Sequence, residues 1–198
     1  MIQLSKKQYY ILLLCLFVAI VFGYIKHLES NSQREYLNPL LMEKMHTIRN
    51  EVHTTSSILN TVITENEIPY AQWIQLKNGV EMIEDNIYEM EKMARAFYPY
   101  RAKELQNATK VTAHLILNQL KYIEDNFLES DLYRLDRISF SSEPYGLLEP
   151  IYETIYSWNV VTNEYHVTTD IIKHTYWVDM MIELVKSSIK YQNNYLVE

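Results

Sequence analysis

Apolar side chains recur along most of this chain at alternating steps of three and four residues, the period of one face of an α-helix. Leu41, Met45, Ile48, Val52, Thr55, Leu59 and Val62 make the first stripe. Trp73, Leu76, Val80, Ile83, Ile87, Met90, Ala94 and Phe97 make the second, between Pro69 and Pro99, with Gly79 at an outward position. The third, Leu105, Ala108, Thr112, Ile116, Leu120, Ile123 and Phe127, includes successive steps of four, the mark of a stutter. The last opens near Pro150 with Ile151, Ile155, Trp158, Thr162, Tyr165, Thr169 and Ile172. It resumes in a shifted phase as Val178, Ile182, Val185 and Ile189, so this region either kinks or breaks in two.

These stripes predict helices over 39–63, 70–98, 101–128 and 150–191. Asn38 is a favoured N-cap and Pro39 a favoured first helical residue, which places the start of the first helix. Periodicity fails over 129–149, where Ser139, Ser141, Ser142, Pro144 and Gly146 cluster, and this is the long connection. Two short connections and one long one arrange four such helices as an antiparallel, coiled-coil-like four-helix bundle over 39–198. The fold class is all-α.

Ahead of the bundle, Tyr9 to Ile25 is seventeen residues without a charge, flanked by Lys6, Lys7 and Lys26. At about 1.5 Å per residue it reaches about 25 Å, and it reads as a transmembrane helix at the short end of the useful range. Residues 1–8 then form a short cytoplasmic tail and 26–38 a polar stalk. The competing reading is a cleaved secretory signal, which needs a small-x-small site that only Val21-Phe22-Gly23 approaches. A single-pass anchor in the cell membrane, with the N-terminus cytoplasmic and the bundle extracytoplasmic, is the orientation expected. The Pro99 turn would then face the membrane, bringing Tyr98, Tyr100 and Arg101 to a membrane-proximal surface, unless those aromatics plug the end of the bundle. The 129–149 connection would be distal, with Glu65 and Glu67 beside it.

Composition narrows the function classes. Three glycines and five prolines leave little material for phosphate-cradling loops. The net charge is −7, and residues 26–198 carry sixteen basic against twenty-five acidic side chains, a balance that repels nucleic acid. The single cysteine, Cys15, lies in the apolar run, so no disulfide framework exists beyond it.

No H-E-x-x-H, G-x-S-x-G, G-x-G-x-x-G or P-loop pattern occurs. Glu43-Lys44-Met45-His46 matches the E-x-x-H of di-iron bundles, with His53 a heptad further on, but the seam directs Glu43, His46 and His53 outward. His114 and His166 also fall off the seams, and Asp170 with His174 reads as an i,i+4 surface pair. No metal, cofactor or catalytic residue is expected, and the chain is read as a non-enzyme.

The function this supports is a membrane-anchored protein-interaction or scaffold module, held by residues 9–25 and presenting its long connection to a protein partner. Tyr133, Arg134, Arg137, Phe140 and Tyr145 are the contact residues, because aromatic and arginine side chains dominate interface energetics. A homo-oligomer is compatible with the pattern. The alternative is an extracytoplasmic bundle that senses a small ligand and signals through a membrane partner.

Overall fold

The computed structural model describes residues 6–128, 136–165 and 171–195. In chain order its elements are α1 (Lys6–Glu65), β1 (Glu67–Pro69), α2 (Tyr70–Phe97), α3 (Ala108–Phe127), β2 (Arg137–Ser139), α4 (Ser142–Glu164) and α5 (Tyr176–Tyr195). Short 3-10 turns at Arg101–Glu104 and Ile171–Lys173 stand before α3 and α5. Among the described residues the protein is helical apart from one two-stranded antiparallel ribbon and its connecting turns. It divides into two compact units, Met1–Leu40 and Leu41–Glu198, with the boundary inside α1. That helix runs on through Pro39 instead of starting there.

In the first unit the side chains from Tyr10 to Tyr24 are exposed, Cys15 among them. Among the described residues, no helix is long and apolar enough to cross a membrane. The uncharged run is seventeen residues, about three short of the roughly 20 that a ~30 Å hydrocarbon core demands. This overturns the transmembrane helix over 9–25, the single-pass anchor, and the cytoplasmic and extracytoplasmic assignments built on it. The membrane-facing role of Tyr98, Tyr100 and Arg101 loses its basis with them.

In the second unit the stripe of α1 from Leu41 to Val62 is buried throughout, as is that of α2 from Trp73 to Ala94. The two helices approach closely at Gly79, where a Cβ would stand 2.6 Å from Thr55 Oγ1 and 3.2 Å from Glu51 Oε2. Gly79 is therefore buried and faces α1, contrary to the outward position expected from its place in the repeat. A Lys77–Glu124 ion pair joins α2 to α3.

The expected four-helix bundle is not what the structure shows: the region given as one helix over 150–191 breaks in two at its phase shift, as α4 and α5. Helix α4 also starts earlier than Pro150, at Ser142. Ser141 stands at its N-cap position, and Glu143 and Pro144 lie in its first turn, where a missing N–H costs nothing. The same residues read as a loop by periodicity.

The described part of α5 keeps half of the expected stripe, with Val178 and Val185 buried, and turns its buried face away from Ile182 and Ile189. Trp177, Met181, Leu184, Ser188 and Tyr191 are buried, whereas Ile182 is half-buried and Ile189 exposed. Two tertiary anchors set this phase. The Trp177 ring meets Tyr98 edge-on at 6.1 Å, while Ser188 sits in a polar knot with α3 and α4. There Trp158 Nε1 donates to Ser188 Oγ (3.2 Å), Ser188 Oγ donates to the Leu184 carbonyl (2.7 Å), and Thr112 Oγ1 donates to the Ser188 carbonyl (3.1 Å). Gln192 Nε2 completes it by donating to the Ala108 carbonyl at 2.8 Å and to Thr112 Oγ1 at 3.0 Å. Thr109 is buried beside Ser188.

Candidate functional site

The site grows out of the turn after α1. Asn66 takes a left-handed conformation, φ 58°, and its N–H bonds to the Val62 carbonyl at 2.9 Å, which stops the helix. The chain leaves this cap extended as β1 and pairs with β2, in the register Glu67 to Ser139, Ile68 to Ile138 and Pro69 to Arg137. A local stop signal thus meets a segment seventy residues away.

Alternation then sorts the side chains. Ile68 and Ile138 turn inward and are buried, while Glu67, Arg137 and Ser139 turn out. Arg137 pairs with Glu67 at 2.8 Å and Glu65 at 3.8 Å. Past β2, Phe140 is only 7% exposed and packs on Trp73 with ring centroids 5.6 Å apart. The ribbon is therefore sealed to the core on one face and open on the other.

An open cleft of about 370 Å³ lies where the ribbon meets α1 and α4, lined by Ile63, Asn66, Phe140, Ser141, Ser142 and Tyr145. Tyr145 is half-buried and its hydroxyl donates to the Ile63 carbonyl at 3.4 Å. A second cleft between α4 and α5, bounded by Glu153, Ser157, Ser187 and Lys190, holds about 80 Å³, too little for a drug-sized ligand, which takes a pocket of roughly 300 Å³ or more.

Of the five expected contact residues, Arg137, Phe140 and Tyr145 come together here, and Tyr133 and Arg134 lie outside the described residues. Arg137 is exposed and Tyr145 lines the cleft with Phe140, most of whose ring is used inside the fold. Asn66, Ser141 and Ser142 were missed. Only Asn66 carried a readable signal, since Asn just past a helix often supplies the left-handed cap.

Tyr98, Tyr100 and Arg101 belong to a separate tie. Tyr98 donates its hydroxyl to the Ile172 carbonyl (2.7 Å) and Arg101 pairs with Asp179 (2.5 Å), fastening the turn after α2 to the start of α5. Tyr100 is exposed beside Lys103, whose ammonium lies 4.8 Å from the ring centroid.

Glu43, His46 and His53 are exposed, and His114 lies 3.3 Å from Glu84 at the surface. His166 and Asp170 fall outside the described residues. Among the described residues no three His, Cys, Asp or Glu side chains gather where a metal ion could sit.

One carboxylate stands apart. Glu91 on α2 is 2% exposed, Oε2 has no hydrogen-bond partner, and the Arg95 guanidinium stands 3.6 Å off, beyond hydrogen-bond range. Burial pushes its pKa above the ordinary 4.5, against the opposing pull of Arg95 and Lys110. The folded state then holds this proton more tightly than the unfolded chain, so Glu91 costs nothing at low pH and destabilises increasingly as pH rises through the raised value. Glu91→Gln is expected to gain stability at pH 7 and to lose that advantage near pH 4, read by urea unfolding at the two pH values. Equal effects at both would show that the fold does not raise the pKa of this carboxyl.

Together the fold and the cleft define an all-α protein with a small ribbon displayed at its surface. No protein-family model, curated protein or solved structure matches the chain.

Proposed function

We propose that this protein is a non-enzymatic interaction module whose contact region is the β1–β2 ribbon and the cleft beside it. The observation that carries the reading is the ribbon's two-sidedness. Ile68, Ile138 and Phe140 brace one face against the core, so Arg137, Ser139 and Glu67 on the other are held in place outside the core, Arg137 in surface ion pairs with Glu67 and Glu65. A rigid support under an open polar surface is what a binding site needs, since little side-chain or loop freedom is then lost on association. The net charge of −7 argues for a protein partner over a nucleic acid.

Deleting the whole connection would open the core by removing Ile138 and Phe140, so the test uses single positions. A photo-crosslinking benzoylphenylalanine at Ser142, which lines the cleft, is expected to give a discrete heavier adduct in the cells that make the protein. The same residue at Tyr156, exposed on α4 away from the cleft, is expected to give none. No adduct at position 142, or equal adducts at both, would overturn the reading.

A further inference from the structure

The backbone of the ribbon says more about the partner than its side chains do. Phe140 N–H bonds to the Asn66 carbonyl at 2.9 Å, and Tyr70 N–H to the Asp136 carbonyl at 3.2 Å. In an antiparallel pair, hydrogen-bonded and non-hydrogen-bonded positions alternate. The bonded pairs are therefore 66 with 140, 68 with 138 and 70 with 136. Residues 67, 69, 137 and 139 aim their backbone groups away from the partner strand.

The two edges differ. On β1 the outward positions are Glu67 and Pro69, and Pro69 has no N–H to offer, which blunts that edge. On β2 the outward positions are Arg137 and Ser139, each with one N–H and one C=O, both residues exposed. Among the described residues the sheet has no third strand to take up these four groups.

Charge and shape select what fits. Among the described residues, Glu65, Asp136 and Glu143 are exposed and Glu67 is half-buried around the ribbon, against the guanidinium of Arg137, which Glu65 and Glu67 already engage. The cleft starts at Phe140, the residue where the edge ends, and presents Phe140, Tyr145 and Ile63. We infer that the β2 edge accepts an extended, basic segment of a partner protein as a third strand, with its backbone on Arg137 and Ser139 and its lysine or arginine side chains among the carboxylates. This rests on the interaction reading above and names the chemistry of the partner at that same surface.

The test is fluorescence anisotropy on the full chain with labelled octapeptides. One alternates lysine with valine, one alternates glutamate with valine, and one is the lysine peptide N-methylated at alternate residues. The lysine peptide is expected to bind at least about tenfold more tightly than the other two, because one lacks the charge and the other the backbone donors. Ser139→Pro removes only an outward N–H, leaves the ribbon's own bonds intact, and is expected to weaken the lysine peptide about tenfold with the helical circular dichroism unchanged. Glu65→Gln with Glu67→Gln is expected to weaken it several-fold. Equal binding of the lysine peptide and its N-methylated form, or full binding to the Ser139→Pro variant, would overturn the strand. So would a crosslink at position 142 that persists while none of the peptides binds, and that result would leave the contact region standing. Loss of the crosslink as well would remove the interaction reading itself.

Discussion

Trp158→Ala is expected to cost about 3–5 kcal/mol, the range for deleting a buried aromatic ring. At about 2–4 °C per kcal/mol for a chain of this size, the melting temperature should fall by roughly 10 °C. The indole is fully buried on α4 and reaches the polar knot that joins α4, α3 and α5. Removing it leaves a cavity at the junction of three helices and takes away the donor that Trp158 sends to Ser188 in that knot. Trp158→Phe retains most of the ring and should cost about 1–2 kcal/mol, from the lost hydrogen bond and the smaller volume. Ser188→Ala reverses the omission by leaving the buried indole N–H without an acceptor, at about 1–3 kcal/mol. Urea unfolding followed by circular dichroism measures all three, and a cost below about 1 kcal/mol for Trp158→Ala would contradict the packing described.

Gly79 offers a prediction whose sign separates the linear repeat from the folded molecule. At an outward helical position Gly79→Ala would stabilise the protein by about 1 kcal/mol, since alanine is the better helix former. The structure predicts the opposite. A Cβ there would stand 2.6 Å from Thr55 Oγ1, a separation that side-chain carbon atoms do not tolerate. Gly79→Ala should therefore cost about 1–2 kcal/mol and Gly79→Leu about 3 kcal/mol, as overpacking does in a closed interface. Thr55 is buried and its hydroxyl has no hydrogen-bond partner, so Thr55→Ala removes the obstacle at little polar cost. In the double variant the alanine at position 79 should then show its helix-forming advantage, giving a coupling energy of about 1–3 kcal/mol in a double-mutant cycle. Stabilisation by Gly79→Ala alone would refute the close approach of α1 and α2.

The heptad stripes of α1 and α2 were legible because a stripe of apolar residues has only one face to bury, and Leu41 through Val62 and Trp73 through Ala94 bury it. The start of α4 was not legible. Serine, glutamate and proline suit the first turn of a helix as well as they suit a loop, and only the continuation decides between them. The uncharged run before Lys26 was overread as a membrane span, because an apolar stretch of marginal length carries the same periodic signal whether or not it reaches across a bilayer. Of the proposed site, Arg137 and Tyr145 were named by residue type alone, and the structure puts them at the ribbon and its cleft. Phe140 was found by the same rule and belongs largely to the core, since an aromatic ring is equally fit for an interface or an interior.

The linear order of residues by itself determined that the protein is helical, which face of its first two long packed helices is buried, and that Glu43, His46 and His53 look outward. These properties are local, set by side chains within one or two turns of each other. Tertiary structure alone decided that Gly79 meets Thr55, that α5 turns on Trp177 and Ser188, and that Ile68 pairs with Ile138 across seventy residues to make a two-stranded ribbon. Each depends on which surface arrives opposite, and a repeat read along one strand of chain holds no information about its neighbour.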